Sequence, residues 1–461
     1  MARATSLSGY LELLPEERMV EQHLLDTLRL VFETHGFASI ESRAVEPVEV
    51  LLGKGEIDKE VYGVSRIHDD AAAEAKQALH FDLTVPFARY VTENAGHLAF
   101  PFRRYQIQKV WRGERPQAGR FREFTQADID IVGEGELPVR SDVEIAVVMA
   151  RALEALHIGD FTLRVNSRKL SEGFYRAIGL QDTAAVLREV DKLEKIGPER
   201  VAAELAETAG ASPQQAQQAL ALAQIRTAES DVADRVRRLL GADAQADTTL
   251  LEEGLAELTL VMAELNTRVP GRAEADLSIA RGLDYYTGTV IETVLHGHEE
   301  LGSICSGGRY ESLATKGKRS FPGVGLSIGV TRLVSRLLDS GELTASRKVP
   351  TAVYVTLSSD SDWGAAQTVA DQLRARGISA DVALSAEKFG KQIKYADRRG
   401  IPFVWFTHDD GGHEVKDIRS GEQTPADPSS WSPPAEDLRP QVISTTEEPS
   451  TAEEPSTAEE H

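Results

Sequence analysis

Residues 105–132 run Tyr105-Gln-Ile-Gln-Lys-Val-Trp-Arg-Gly-Glu-Arg-Pro-Gln-Ala-Gly-Arg-Phe-Arg-Glu-Phe-Thr-Gln-Ala-Asp-Ile-Asp-Ile-Val132, and the class of fold turns on how they are read. Polar and apolar side chains alternate over 105–111 and again over 124–132, the period of a half-exposed antiparallel strand. Between them Gly113, Pro116 and Gly119 mark a turn. Two alternating runs joined by a turn predict an antiparallel pair. Its polar face would carry Gln106, Gln108, Thr125 or Gln126, and Asp128 or Asp130. Such a face is either solvated or a site.

Toward the N-terminus, His80-Phe-Asp-Leu-Thr-Val-Pro86 also alternates and predicts a strand. Residues 15–36 predict a helix: Pro15 suits the first turn, Glu16 and Glu17 the positive dipole end, and Gly36 the stop. Val20, Leu24, Leu28, Val31 and Phe32 form its apolar stripe. Residues 37–42 predict a strand leading to Pro47. Toward the C-terminus the pattern changes. Eleven alanines in 201–240, with no strand-like run, make 172–255 an inserted helical subdomain. Strand signals return at 275–280 and 288–294. From Pro350, strands at 352–357, 379–384 and 402–407 alternate with helices at about 362–376 and 387–399, a small α/β domain. The expected organisation is α+β: a core in two parts, 1–171 and 256–345, the insertion 172–255, the α/β domain 346–432, and an acidic disordered tail 433–461. Within that tail the Glu-Glu-Pro-Ser-Thr-Ala repeat over 445–461 has the composition of disorder.

The chain has 461 residues and a formal charge of 51 − 73 = −22; 41% hydrophobic and 27% charged residues are ordinary for a soluble protein of about three domains. A single cysteine, Cys305, excludes an intramolecular disulfide and any multi-cysteine zinc site, and suits the cytoplasm. No stretch reaches ~18 apolar residues and the start lacks a signal-peptide core, so neither membrane spanning nor secretion is expected. Net charge alone would disfavour a polyanionic partner, but local fields decide. Arg103, Arg104, Lys109, Arg112, Arg115, Arg120 and Arg122 face one acid, Glu114, in 101–122; Lys388, Lys391, Lys394, Arg398 and Arg399 accompany Asp397. Nucleic acid therefore stays open as a partner.

Four segments carry candidate chemistry. In Phe81-Asp82-Leu83-Thr84-Val85-Pro86, a carboxylate and a hydroxyl two residues apart share a strand face and suit an ammonium group, unless this is only a strand end closed by proline. In 110–124, an Arg and a Glu at alternate positions can hold a phosphate and a base edge, since guanidinium is a fixed fork for phosphate oxygens; a charged hairpin is the plainer alternative. The third is Ala280-Arg281-Gly282-Leu283-Asp284-Tyr285-Tyr286-Thr287-Gly288, an unusual composition for a mere turn. The fourth joins Ser306-Gly307-Gly308-Arg309-Tyr310 to Gly329-Val330-Thr331-Arg332, where a glycine-rich packing corner would also fit. His296 and His298 read as a solvated loop rather than metal ligands. No P-loop, zincin or nucleophile-elbow pattern occurs, so a nucleotide would be held without a P-loop.

In this order the segments resemble the class II aminoacyl-tRNA synthetases, and within them the histidyl-tRNA synthetase family, over about residues 8–425. Trp111-Arg-Gly-Glu-Arg-Pro116 resembles the second class motif, Gly329-Val-Thr-Arg332 the third, and 15–47 the first. Arg281-Gly-Leu-Asp-Tyr-Tyr286 is similar to the histidine-specific signature, and Lys391-Gln-Ile-Lys-Tyr-Ala-Asp-Arg-Arg399 to the anticodon-binding domain. The resemblance implies an antiparallel-sheet catalytic core with a helical insertion, a C-terminal α/β anticodon-binding domain and a homodimer. It implies ligation of L-histidine to tRNA(His) through histidyl-adenylate. ATP with Mg2+ would enter as a substrate complex; no protein-ligated metal, membrane or DNA partner is expected. It places Asp82, Thr84 and Gln126 on the substrate ammonium, and Asp130, Tyr286 and neighbouring Tyr285 at the imidazole. Arg112 would hold the α-phosphate, Glu114 the adenine, and Arg120 and Arg332 the rest of ATP. Arg281 would stand opposite the histidine carboxylate, with Arg112 and Arg281 catalytic. Arg115, Gln117, Lys391 and Lys394 would meet tRNA. Thr331 and Gly113 stand where relatives more often carry Glu and His. Two rival readings remain beside this one: a non-catalytic regulatory paralogue and another class II synthetase.

Overall fold

Both alternating runs form strands, and they pair antiparallel from Phe102 opposite Val132 to Trp111 opposite Glu123. The computed structural model describes residues 6–52, 60–68, 74–116, 119–240, 247–280, 286–408 and 410–444. It divides into two units, one drawn from Met1–Leu11 and Leu25–Arg336, the other from Glu12–Leu24 and Leu337–His461.

The first unit is organised by a nine-stranded sheet. Its strands are β1 Ala38–Ser39, β2 Phe102–Trp111, β3 Glu123–Val132, β4 Phe161–Ser167, β5 Arg226–Thr227, β6 Ala273–Asp276, β7 Tyr286–Leu295, β8 Ser303–Tyr310 and β9 Gly323–Gly329. Their order is β1-β2-β3-β9-β8-β7-β4-β6-β5. Every pairing is antiparallel except β1 with β2 and β4 with β6. Register sorts the side chains onto two faces, because directly opposed residues project to the same side. Ile131, Val324 and Arg309 stand abreast on one face, where Arg309 reaches Asp142 of the helix Arg140–Ala155. That helix covers the apolar face. The other face carries two polar rows: Gln106, Asp128, Ser327 and Ser306, then Arg104, Asp130, Gly325 and Gly308. The expected half-exposure does not hold: Gln106, Asp128 and Asp130 are 0%, 3% and 2% exposed.

Helix formation follows local signals. Pro15–Thr34 buries Val20, Leu24, Leu28 and Phe32. Helices occupy most of 168–268, beginning at Arg168. Ser212 and Gln215 form a reciprocal capping box with Pro213 in the first turn. The helices Arg168–Ala177 and Thr249–Arg268 cross at two glycines: a Cβ on Gly173 would meet the Leu251 amide at 2.4 Å, and one on Gly254 the Leu170 amide at 2.3 Å. The two-residue β5 interrupts this stretch, too short to register in the sequence.

Two strand expectations need correction. Residues 80–86 are not a strand. The strand Gln77–Leu79 ends first, and a helix starts at Thr84, with Asp82 accepting from the Val85 amide. Pro86 thus sits in a helical first turn, where its missing N–H costs nothing, rather than closing a strand. The strand expected over 275–280 stops at Asp276, whose carboxylate turns the chain by accepting from the Ser278 amide and hydroxyl.

The second unit contains a five-stranded sheet. Ala380–Val382, Val353–Val355 and Phe403–Thr407 are parallel, joined by the helices Trp363–Ala375 and Phe389–Arg399. Antiparallel strands His413–Asp417 and Gln423–Pro425 extend it, their polar composition having hidden them. Trp405 lies fully buried at its centre. The tail expected from residue 433 begins too early. Arg419 clasps the Asp437 carboxylate at 2.9 and 2.7 Å, and Val442–Ser444 pairs with Leu343–Ala345. Residues 445–461 lie outside the described residues.

Candidate active site

The β2–β3 hairpin, the start of the helix Val330–Asp339 and strands β8 and β9 enclose a cleft of about 250 Å³. Arg112, Glu114, Arg120, Gln126 and Arg332 line it. Arg112 is aimed by its Nε, which donates to the Phe81 carbonyl at 3.0 Å, and its guanidinium lies 5.1 Å from the Phe124 ring. Arg332 is the third residue of its helix, and its Nε is buried without a hydrogen-bond partner. Burial and the charge of Arg120 both push the Arg332 pKa down, with only Glu114 opposing. Two guanidinium groups crowded at one wall create a site that an anion would relieve.

Next to this cationic cleft stands a buried acidic cluster. Asp82 is 4% exposed, and its Oδ2 has no hydrogen-bond partner. Burial raises its pKa to about 6, against the opposing pull of the Val85 amide, Arg112 and Arg104. Asp130 takes the Arg104 guanidinium at 2.7 Å and the Tyr310 hydroxyl at 2.8 Å. Burial still holds its pKa above the usual range. Arg104 also lies over the Phe87 ring at 4.2 Å. Gln126 Nε2 donates to Ser327 Oγ at 2.7 Å, leaving its Oε1 buried and unpartnered. Thr84 is half-buried at the start of its helix. Tyr286 opens β7 opposite Tyr310, with its ring against Gly308. Unmade hydrogen bonds on buried carboxylate and amide oxygens mark a place for a donor-rich ligand.

The structure thus brings Arg112, Glu114, Arg120, Gln126 and Arg332 to one cleft, and Asp82 beside Asp130 and Arg112. Arg281, Tyr285 and Gln117 lie outside the described residues. Arg115 is exposed on the hairpin. In the second unit Lys391 and Lys394 line a groove of about 830 Å³ together with Tyr354, Tyr395, Arg398 and Arg399. Among the described residues no trio of His, Cys, Asp or Glu is placed to hold a metal ion.

The two departures from the motifs have structural roles. Thr331 Oγ1 accepts from the Thr125 amide at 2.8 Å, pinning β3 to the helix. Gly113 donates to the Glu60 carbonyl at 2.7 Å, and a Cβ there would stand 3.2 Å from that oxygen. The run 101–122 is less of a basic face than its composition implies. Arg103 pairs with Glu144, Lys109 with Glu123, and Arg104 is buried against Asp130. Arg104, Tyr310 and Ser327 join the site only through the fold. Arg104 read as surface charge, and only the register reveals that Tyr310 and Ser327 meet Asp130 and Gln126.

A family model described as histidyl-tRNA synthetase matches residues 9–333, and one described as an anticodon binding domain matches 352–427. The chain is 68% identical over 458 residues to a histidine–tRNA ligase of Micrococcus luteus, covering 96% of this chain and 99% of that protein. It is 56% identical to the histidine–tRNA ligase of Cutibacterium acnes, with 96% and 100% covered. The crystal structure of histidyl-tRNA synthetase from Nostoc sp. PCC 7120 superposes with a TM-score of 0.82 at 38% identity, over 92% of this chain and 97% of that one. A Bacillus halodurans structure, titled as an ATP phosphoribosyltransferase regulatory subunit/histidyl-tRNA synthetase, shares the fold at 20% identity and a TM-score of 0.70.

Proposed function

The chain belongs to the histidyl-tRNA synthetase family and acts as a histidine–tRNA ligase, and from that premise we propose how its residues divide the work. Histidine lies along the polar face, its ammonium at Asp82, Thr84 and Gln126, its imidazole at Asp130 with Tyr285 and Tyr286. Its carboxylate points toward Arg112 and Arg281. ATP enters with Mg2+ as its substrate complex, the α-phosphate on Arg112, the adenine edge at Glu114, and the remaining phosphates toward Arg120 and Arg332.

The observation that carries this reading is the juxtaposition of two opposite fields. A buried acidic cluster suits a cationic amino acid, and the cleft adjoining it is walled by guanidinium groups. In the first step a histidine carboxylate oxygen bonds to the α-phosphorus, and the bond to the β-phosphate bridge breaks. Pyrophosphate leaves with the electron pair. The carboxylate is already ionised, so no general base is needed; catalysis is positioning and stabilisation of charge on the phosphoryl oxygens. In the second step a ribose hydroxyl of the terminal adenosine of tRNA(His) attacks the acyl carbon, and AMP departs. A site that hydrogen-bonds both imidazole nitrogens leaves buried groups unpaired with an apolar analogue, which can reject it by ~10⁴-fold without editing.

Arg115 and Gln117 would meet the tRNA near the active site, and Lys391 and Lys394 would meet it in the second unit. A homodimer and a cytoplasmic location complete the reading. Its test is Arg112→Gln in histidine-dependent exchange of pyrophosphate into ATP. The kcat should fall by ~10²–10³, as for removal of one transition-state donor. Exchange within threefold of the parent would refute the role of Arg112.

A further inference from the structure

One side chain on the polar face has no role in the account above. Asp128 lies between Gln126 and Asp130 on β3, about 6.8 Å of strand from each, midway along the stretch that histidine would span. It is 3% exposed, and its Oδ1 has no partner. Directly opposite on β2 is Gln106, whose Oε1 is also buried and unpartnered.

The amide orientations here are set by a backbone carbonyl. The Ser42 carbonyl can only accept, and it takes Gln108 Nε2 at 2.9 Å. Gln108 Oε1 must then accept, and it takes Gln106 Nε2 at 2.6 Å, which also reaches Ser42 Oγ. Turning either amide over would set two acceptors against each other. The Gln106 carbonyl oxygen, buried and unpartnered on the strand directly opposite Asp128, therefore needs a donor. From the other side, Ser327 stands directly opposite Asp128 on β9, where its hydroxyl favours the charged carboxylate while accepting from Gln126 Nε2. Two runs of the same direction, Gln126 to Ser327 and Gln106 through Gln108 to Ser42, thus end at either side of Asp128, whose Oδ1, like the Gln106 Oε1 on the strand opposite, is still unpartnered. An ionised carboxylate accepts only, so it would leave the two runs unjoined. A carboxylic acid joins them.

We propose that Asp128, held as the neutral acid, is a positioning residue for histidine: it completes a directional relay that turns the Gln126 carbonyl oxygen toward the substrate ammonium. The charges around it agree. Asp130 on its own strand and Asp82 ahead of the helix Thr84–Asn94 both oppose a third negative charge. Arg104 of β2 favours one but is engaged by Asp130, and Arg112 acts on Asp82. The Cys305 thiol of β8, its pKa driven up by burial, adds no charge. Burial raises the Asp128 pKa to about 7. With Asp128 neutral, Asp82 and Asp130 are balanced by Arg104 and the incoming ammonium.

This inference rests on the proposed placement of the ammonium at Gln126, and the experiment separates the two. Histidine and ATP KM values are measured by pyrophosphate exchange for Gln126→Leu, Ser327→Ala, Asp128→Ala and Asp128→Asn. Asn can still accept from Ser327 and donate to Gln106. It should keep the histidine KM within about twofold, whereas Ser327→Ala and Asp128→Ala should raise it about tenfold or more and spare the ATP KM. An infrared difference between parent and Asp128→Asn, at about pH 6, should show a protonated carboxylic acid that the variant lacks. A tenfold loss in Asp128→Asn, or no such band, overturns the neutral acid; in the latter case water bridges the two acceptors. A rise for Gln126→Leu with none for Ser327→Ala overturns the relay alone, and no rise for Gln126→Leu overturns the placement beneath it. Should Asp128→Ala fail to fold, Ser327→Ala and Asp128→Asn decide.

Discussion

Arg104 is the fully buried cation among three buried carboxylates, so replacing it with Met should expose the electrostatic cost of this pocket. The guanidinium is 0% exposed, pairs with Asp130 at 2.7 Å, and is felt by Asp82 and Asp128. Removing one partner of a buried pair costs about 3–5 kcal/mol, because the other charge is left uncompensated. Met keeps apolar contact with Phe87 but forfeits the cation–π term, ~2 kcal/mol when desolvated. Recovery of the guanidinium's own desolvation penalty offsets part of this, which leaves about 3–5 kcal/mol as the expected net loss. The loss should depend on pH. A carboxyl group whose pKa is higher folded than unfolded favours the folded state fully at low pH and loses that advantage as pH rises through the interval. Asp82 and Asp128, at about 6 and about 7, already lie above the ordinary value, and losing Arg104 raises both further, with Asp130. The deficit should therefore be small near pH 5 and reach its full value by about pH 8. Native-state hydrogen exchange of the β3 amides reads it directly as an opening free energy. An equal deficit at both pH values, or one below ~1 kcal/mol at the higher pH, would refute this electrostatic account.

Other expectations follow from close contacts. A Cβ on Gly325 would stand 2.2 Å from Asp130 Oδ1 and 2.8 Å from the Ile129 carbonyl oxygen, so Gly325→Ala must displace Asp130, the proposed imidazole partner. Steady-state exchange should show the histidine KM raised about tenfold with the ATP KM unchanged; equal rises in both would contradict it. Arg332→Gln should do the reverse, raising the ATP KM about tenfold while sparing histidine, and a histidine-selective defect would place Arg332 elsewhere. Deleting 445–461 removes six Glu whose field is screened at physiological salt, so tRNA charging should stay within about twofold. A tenfold loss would show the segment to be engaged.

Much of this architecture was legible because alternation and capping are local. The β2 and β3 runs, the helix Pro15–Thr34 and the strand–helix alternation after Pro350 all write their period into consecutive residues. The stretch 80–86 misled for the same reason: alternation before a proline describes a strand end and a helix start equally well, and the Asp82 cap decides between them. Residue type and spacing suggest a phosphate for the arginine-rich hairpin, whereas Arg332 gains that expectation only from the resemblance of Gly329-Val-Thr-Arg332 to the third class motif. What the sequence could not state was burial and register. Nothing local distinguishes Arg104, 0% exposed, from Arg103 beside it, whose charge meets Glu144. The contacts of Tyr310 with Asp130 and of Ser327 with Gln126 join residues 180 and 201 positions apart, so only the folded sheet reveals them.

The most direct test of the account is amino-acid-dependent exchange of labelled pyrophosphate into ATP by the purified chain, run without tRNA across the standard amino acids. If the acidic cluster and the arginine-lined cleft are one histidine-activating site, histidine alone supports exchange. Exchange with a different amino acid, or none from the folded protein, would contradict it.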